Sequence, residues 1–269
     1  MSDDEGSTAR QSPGRWSDLK PRLISGGIIA LVGITAVWLG GILFAIFASV
    51  VAGVIVWELA RMHGTSVSLM LGGLAGVCCL LVSIIPEGYG LPLLMLPAFA
   101  SIGRMHRARL SFAIFTAIIV LAGYGLVQLR EDFGALWMVW LVMVVIATDI
   151  FGYFGGRLIG GPKFWPRVSP KKTWAGILCG WVSAGLVGLI FLPFLYVGPE
   201  IVSISVALSM ASQLGDVTES AIKRKAGVKD SSHLIPGHGG FFDRFDGVLG
   251  AAVFLLLVEQ IVDFPPIAV

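Results

Sequence analysis

The sequence predicts an all-α polytopic integral membrane protein with about nine transmembrane helices and a cytoplasmic N-terminus. Of its 269 residues, 56% are hydrophobic and only 13% are charged, whereas a soluble domain carries about 25% charged residues. Most of the apolar runs are also long enough for a bilayer, which a helix of about 20 apolar residues can cross. These two observations exclude an ordinary soluble domain.

The predicted spans follow one another along almost the whole chain. The weakest are the fourth, which contains Pro92 and Pro97, and the eighth, which is short. Proline is tolerated in a membrane helix when neighbouring groups satisfy the carbonyls that it frees. The nine predicted ranges are 24–40, 42–60, 67–85, 89–103, 111–129, 133–153, 174–197, 201–215 and 247–264.

The distribution of basic residues supports this count. With the N-terminus inside and the spans alternating, 18 of the 19 Lys and Arg residues fall on the inner side, and only Arg130 falls outside. Cytoplasmic loops carry an excess of Lys and Arg, so we expect the polar loops to face the cytoplasm. A bacterial inner membrane is the expected setting.

The chain is expected to contain one membrane domain. Residues 1–22 are polar and rich in Ser, Pro and charge, which predicts a disordered cytosolic tail. Residues 23–269 form the predicted transmembrane domain, with its functional residues at about 145–250. The three cysteines, Cys78, Cys79 and Cys179, lie in apolar runs without metal-type spacing, so neither a disulfide nor a zinc site is predicted.

Acidic residues lie within and just before the most polar part of the chain, the polar segment (residues 220–246, SAIKRKAGVKDSSHLIPGHGGFFDRFD). Asp216, Asp243 and Asp246 carry carboxylates of the kind that bind hard divalent cations such as Mg²⁺ beside substrate phosphates. They are the predicted metal ligands, with Asp149 as a further candidate and a second metal ion as an option. The alternative is salt bridging to Arg244 or Lys223.

Basic and glycine-rich residues of the same segment predict a polyphosphate site. The glycines let backbone N–H groups approach phosphate oxygens, and His238 is a candidate phosphate donor, acid or base. A lipid-anchoring patch is the alternative. The predicted catalytic and substrate-binding residues here are Lys223, Arg224, Lys229, His238, Gly239, Gly240 and Arg244.

A second polar stretch, the basic loop (residues 154–173), precedes the seventh predicted span. This loop places hydroxyl and ammonium donors at a helix N-terminus, whose dipole favours anions. The donors belong to Ser169, Lys171, Lys172 and Thr173. This pattern predicts a second phosphate-binding element. Glu58 is a weaker candidate, because Arg61 three residues later offers an ordinary ion-pair partner.

These motifs together resemble the phosphatidate cytidylyltransferase (CDP-diacylglycerol synthase) family. The resemblance rests on the polar segment and extends upstream over roughly 120 C-terminal residues. The matching upstream positions are Asp149, Tyr153, Gly156-Arg157, Gly160, Ser169-Pro170-Lys171-Lys172-Thr173-Trp174 and Gln213-Leu214-Gly215-Asp216. Two positions depart from the family pattern: Ala175 replaces a Glu and Gly247 replaces a Ser.

The resemblance implies an Mg²⁺-dependent nucleotidyltransferase in phospholipid synthesis. It implies transfer of a cytidylyl group from CTP to phosphatidate, with release of pyrophosphate and no covalent enzyme intermediate. The implied partners are CTP, phosphatidate and membrane lipids, with a homodimer as an option and no nucleic acid. Two other functions remain open: a transporter of an anionic solute or lipid, and a CTP-dependent enzyme of the polyprenol kinase type.

Overall fold

The computed structural model describes residues 19–85, 89–104, 108–262 and 264–265, which contain nine α-helices and one two-stranded sheet. The helices are α1 (Leu19–Leu39), α2 (Gly41–Met62), α3 (Ser68–Val82), α4 (Leu91–Ile102), α5 (Arg109–Asp132), α6 (Ala135–Leu158), α7 (Trp174–Leu195), α8 (Glu200–Lys225) and α9 (Phe242–Val262). The strands β1 (Lys163–Trp165) and β2 (Ser169–Thr173) lie between α6 and α7.

The helices have the lengths and compositions of a polytopic membrane protein. Six of those in the described ranges, α2 and α5 to α9, are long and apolar enough to cross a membrane. The apolar part of α1 (Ile24–Leu39), α3 and α4 are shorter. The predicted helical membrane protein is therefore confirmed, whereas nine crossings and the orientation stay predictions. Residues 1–18 of the predicted tail lie outside the described residues, and α1 begins at Leu19.

The helices beside the polar segment are longer than predicted. α8 continues ten residues beyond the predicted end at residue 215, and α9 begins at Phe242 rather than at residue 247. Hydropathy placed these boundaries at the first charged residues, but polar residues do not end a helix whose apolar face still packs. Val217 and Ile222 are buried on this extension of α8. Asp216, Asp243 and Asp246 consequently lie within helices.

The basic loop contains a β-hairpin, which was not predicted from the sequence. Lys163 pairs with Thr173, and Trp165 pairs with Ser169, in an antiparallel arrangement. Thr173 then acts as the N-cap of α7, because its Oγ1 accepts a hydrogen bond of 3.2 Å from the Gly176 N–H. The hairpin therefore leads directly into α7 and fixes where Lys171 and Lys172 lie.

Glycine contacts bring together the helices that carry the polar residues. A Cβ atom on Gly176 of α7 would lie 3.3 Å from the Cα of Gly156 on α6. A Cβ atom on Gly215 of α8 would lie 3.2 Å from the Cα of Gly250 on α9. Small residues permit such close helix approach in membranes, and here they place α6 against α7 and α8 against α9.

Candidate active site

Three carboxylates meet where α8 packs against α9. Asp216 and Glu219 are three residues apart on α8 and therefore share one face, and Asp246 lies opposite them on α9. One oxygen from each of the three lies within 4.8 Å of the others. Oxygen donors at this separation suit a hard divalent cation. The acidic cluster (Asp216, Glu219 and Asp246) is thus able to hold a metal ion.

Asp243, which the sequence predicts as a metal ligand with Asp216 and Asp246, is not one of these three carboxylates. Its Oδ2 accepts hydrogen bonds from the Ser231 N–H at 3.0 Å, the Ser231 hydroxyl at 2.9 Å and the Gly240 N–H at 2.8 Å. Its Oδ1 lies 2.6 Å from Lys223 Nζ. The Asp243 carboxylate therefore holds the loop before α9, and its role as a metal ligand stays a prediction.

Lys223 connects the two sets of carboxylates. Its Nζ lies 2.7 Å from Glu219 Oε1 and 2.6 Å from Asp243 Oδ1. All three side chains are largely buried, so the pairing neutralises charge where water screens little. The predicted phosphate-binding Lys223 is therefore engaged with two carboxylates in this structure.

A polar cavity of about 550 Å³ lies beside the acidic cluster, between α6, β2, α7 and α8. Lys172 lies where the cavity meets the acidic cluster, because the Lys172 Nζ is 2.6 Å from Asp216 Oδ2. The charged residues that line the cavity are Asp149, Arg157, Lys171, Lys172 and Asp216. Arg157 is oriented by Tyr153, whose hydroxyl accepts from Nη1 at 2.7 Å. The cavity therefore combines cations for an anionic ligand with one edge of the metal-binding cluster.

The glycines of the polar segment form a tight turn around His238. The His238 N–H donates to the Ile235 carbonyl at 2.9 Å, and Gly237 at the third position has φ of 76°. With Pro236 at the second position, this is the sequence of a type II turn. The Nδ1 atom of His238 lies 2.9 Å from Ser25 Oγ on α1. The N-terminal helix therefore holds the imidazole.

Several other predicted residues lie outside the lining of the cavity beside the acidic cluster. Lys229, His238, Gly239 and Arg244 line a second polar cavity of about 400 Å³. Arg244 donates to the His238 carbonyl from Nε and Nη2, at 3.1 and 2.8 Å. Arg224 is bonded to the Val228 carbonyl at 3.3 Å near the end of α8.

Ser169, Thr173 and Gly240 have positions set by backbone structure. Ser169 pairs with Trp165 in the hairpin, and Thr173 caps α7. Gly240 lies where a Cβ atom would contact both Ser231 Oγ and Glu58 Oε1. A side chain at residue 240 would therefore disrupt the loop.

Glu58, a weaker candidate in the sequence, has a prominent place in the structure. It does not pair with Arg61, whose guanidinium carbon lies 4.9 Å from the centre of the Trp57 ring. Instead it accepts hydrogen bonds from the polar segment, more than 170 residues away. The sequence signal for it was a carboxylate inside an apolar helix, which requires buried donors.

Known proteins resemble this chain in sequence over most of its length. A family model described as the cytidylyltransferase family matches residues 20–262, which is most of the chain. The chain belongs to the cytidylyltransferase family. This match includes the acidic cluster, the polar segment and the polar cavity beside them.

Curated relatives of this cytidylyltransferase come from several bacteria. A phosphatidate cytidylyltransferase of Brucella abortus biovar 1 (strain 9-941) is 33% identical over 267 residues, which covers 93% of this chain and 97% of the relative. The phosphatidate cytidylyltransferase of Bacillus subtilis (strain 168) is 31% identical, with 88% and 96% covered. That of Rickettsia bellii (strain RML369-C) is 42% identical over 133 residues, 45% of this chain and 58% of the relative.

Gly247, one of the two departures from the family pattern, lies where helices of this cytidylyltransferase pack closely. A Cβ atom at Gly247 would lie 2.7 Å from Ser212 Oγ and 3.3 Å from a methyl group of Val145. Gly247 therefore allows α9 to approach α6 and α8 immediately after Asp246. Nothing in the described residues explains the replacement of Glu by Ala175.

Proposed function

We propose that the chain transfers the cytidylyl group of CTP to phosphatidate, forming CDP-diacylglycerol and pyrophosphate. The observation that carries this proposal is the position of Asp216, which belongs to the acidic cluster and also lines the cation-rich cavity. One site therefore offers metal ligands and phosphate-binding cations side by side. The relatives that match over most of their length are phosphatidate cytidylyltransferases, which supports the same reaction.

The reaction requires positioning more than activation of a nucleophile. An oxygen of the phosphatidate phosphate forms a bond to the α-phosphorus of CTP, while the bond from that phosphorus to the bridging oxygen breaks and pyrophosphate leaves. The nucleophile is already anionic, so no covalent enzyme intermediate is needed. The main barrier is repulsion between two anions, and fixed cations together with correct alignment lower it.

The basic residues of the cavity are suited to the triphosphate. Lys171 and Lys172 of β2 and Arg157 of α6 all line the cavity. We propose that incoming phosphates compete with Asp216 for Lys172, which releases this carboxylate for metal binding. The guanidinium of Arg157 is planar and binds phosphate through paired donors.

The acidic cluster is the proposed Mg²⁺ site. Asp216, Glu219 and Asp246 would hold the ion, and bound there it would offset the charge that develops on the phosphates. For Asp243 we propose a supporting role, since its oxygens contact Lys223, Ser231 and Gly240; its predicted place as a metal ligand stays a prediction. A second ion, with Asp149 as a ligand, stays a prediction.

An apolar groove offers a place for the lipid chains. It runs between α5, α8 and α9, and Glu219 and Asp246 of the acidic cluster are part of its lining. The rest is mostly apolar, including Phe115, Leu214 and Phe254. A phosphatidate whose phosphate lies at the cluster would therefore have an apolar surface of the protein for an acyl chain.

We further propose that this end of the bundle faces the cytoplasm of a bacterium, at the inner membrane. The C-terminal end of α8 and the N-terminal ends of α7 and α9 meet at the site. Basic residues are concentrated at this end, and cytoplasmic loops of membrane proteins carry an excess of Lys and Arg. CTP is a cytoplasmic nucleotide, so the orientation would expose the polar cavity to its substrate. A homodimer stays a prediction.

The decisive test is a turnover assay with the full chain purified in detergent. CTP, phosphatidate and Mg²⁺ should give CDP-diacylglycerol and pyrophosphate in equal amounts, and Asp246→Asn should abolish both. Formation of CDP with a phosphorylated lipid acceptor would instead identify a kinase. Movement of an anionic solute across proteoliposomes without CTP consumption would identify a transporter.

A further inference from the structure

Glu58 of α2 is a fully buried carboxylate with four hydrogen-bond donors, all from the polar segment. Its Oε1 accepts from the Ser232 hydroxyl at 2.6 Å and the Phe241 N–H at 3.0 Å. Its Oε2 accepts from the Phe242 N–H at 2.7 Å and the Ser231 hydroxyl at 3.2 Å. This set of bonds compensates the burial of a charged group.

These bonds close the polar segment on itself and attach it to the helix bundle. Ser231 and Ser232 precede the type II turn, whereas Phe241 and Phe242 follow it at the start of α9. The two backbone N–H groups belong to a helix N-terminus, which leaves such donors without partners in its own helix and attracts negative charge. Glu58 therefore determines where α9 begins relative to α2.

The bonds of Glu58 continue into the acidic cluster. The Ser231 hydroxyl lies 3.2 Å from Glu58 Oε2 and 2.9 Å from Asp243 Oδ2, so its single proton is shared between two carboxylates. Asp243 in turn contacts Lys223, and Lys223 contacts Glu219. An unbroken series of polar contacts thus joins α2 to the acidic cluster.

We propose that Glu58 is a positioning residue for the acidic cluster, acting through Ser231, Asp243 and Lys223. This inference rests on the proposed function, because it assigns the cluster to metal binding. Glu58 lies outside the lining of the polar cavity and acts on the site through neighbouring groups. Residues that orient metal ligands affect metal affinity or activity by about 10-fold to 100-fold when they are replaced.

The experiment separates positioning from simple support of the fold. Glu58→Gln keeps the size of the side chain but presents an NH₂ group to donors that need an acceptor. Ser231→Ala removes the hydroxyl between Glu58 and Asp243, whereas Ser232→Ala removes a hydroxyl that contacts Glu58 and the Leu234 N–H. Arg130→Gln is the control for stability, because Arg130 bonds to the Val37 carbonyl at a distant helix end.

The main readout is the binding of Mn²⁺ to the detergent-purified chain in the absence of substrates. Electron paramagnetic resonance measures this binding. The Kd for Mn²⁺ should rise about 10-fold or more in Glu58→Gln and in Ser231→Ala, and less in Ser232→Ala. Turnover should fall through kcat, with a smaller change in the KM for CTP. Arg130→Gln should lower the thermal midpoint and leave the Kd for Mn²⁺ unchanged.

Two results would overturn the positioning role. One is a wild-type Kd for Mn²⁺ and a wild-type kcat in folded Glu58→Gln; the other is an equal loss of Mn²⁺ affinity in Arg130→Gln. If Glu58→Gln yields no folded protein, Ser231→Ala is compared with Ser232→Ala instead. A wild-type Kd for Mn²⁺ and a wild-type kcat in Ser231→Ala would then overturn the positioning role. A wild-type chain that binds Mn²⁺ without turning over CTP would overturn the proposed function, while the Kd shifts would still support the role of Glu58.

Discussion

Lys172 and Asp216 form an ion pair, with Nζ 2.6 Å from Oδ2, that joins the β-hairpin to the acidic cluster. The two residues are 44 positions apart in the chain. Both line the polar cavity, so a ligand that enters it meets a cation already held next to a metal-binding carboxylate. This pair suggests the first of four predictions.

Replacing Lys172 with Met should weaken use of CTP. The substitution removes a charged donor for phosphate, and bonds to charged groups contribute about 1.5–3 kcal/mol. We therefore expect kcat/KM for CTP to fall at least about 10-fold. Lys163→Met is the matched control, because Lys163 lies on the same hairpin and is exposed outside the cavity lining. Equal losses in both variants would contradict a specific role for Lys172.

Glu219→Gln should impair metal binding, whereas Asp243→Asn should impair stability. Glu219 belongs to the acidic cluster, so Glu219→Gln should abolish high-affinity Mn²⁺ binding in a protein that stays folded. Asp243 instead holds Lys223 and the loop before α9, so Asp243→Asn should lower the thermal midpoint markedly.

Both variants should lose turnover, and the two physical readouts separate their causes. Glu200→Gln, at the other end of α8, is the control for a neutralised carboxylate. A folded Glu219→Gln protein with wild-type Mn²⁺ affinity would show that the cluster does not bind the metal. Full activity in Asp243→Asn would show that the loop does not need this carboxylate.

Gly240→Ala should destabilise the protein. Its Cβ atom would contact Ser231 Oγ and Glu58 Oε1, and neither side chain has space to move without losing buried hydrogen bonds. Crowding of this kind destabilises by about 1–3 kcal/mol. Thermal unfolding in detergent measures the loss. Gly73→Ala is the control, since its Cβ would have no neighbour within 4 Å; a comparable loss there would point to a general effect of Ala.

Arg130→Gln should lower stability without changing the chemistry. The Arg130 Nε donates to the Val37 carbonyl at 2.6 Å, and Nη2 donates to the Trp38 carbonyl at 3.3 Å, at the end of α1. The free carbonyls of a helix end need such donors. We expect a lower thermal midpoint and wild-type kcat per folded molecule. Arg167→Gln, which alters an exposed arginine, should leave the midpoint unchanged.

The sequence was sufficient for the helical membrane class, the order of the helices and the family motif. Long apolar runs have few folded alternatives in a bilayer, because every backbone polar group must be satisfied within the protein. The same reasoning failed at the ends of α8 and α9, where hydropathy stops at the first charges. It also failed for the hairpin, whose short strands carry no clear apolar alternation.

Among the site residues, the sequence pattern predicted Asp216, Asp243 and Asp246 as metal ligands and gave no reason to include Glu219. That choice depends on the rotation of α8 against α9, which the contact of Gly215 with Gly250 sets. The role of Glu58 depends on a contact across more than 170 residues, and local patterns carry no information about it.

The sequence by itself determined that this protein is a helical membrane cytidylyltransferase with a concentrated set of carboxylates, cations and glycines. Only the tertiary structure decided which carboxylates face one another and which support the loop. The physical reason is that composition and periodicity act along one helix, whereas metal-ligand geometry depends on close packing between helices that are distant in the chain.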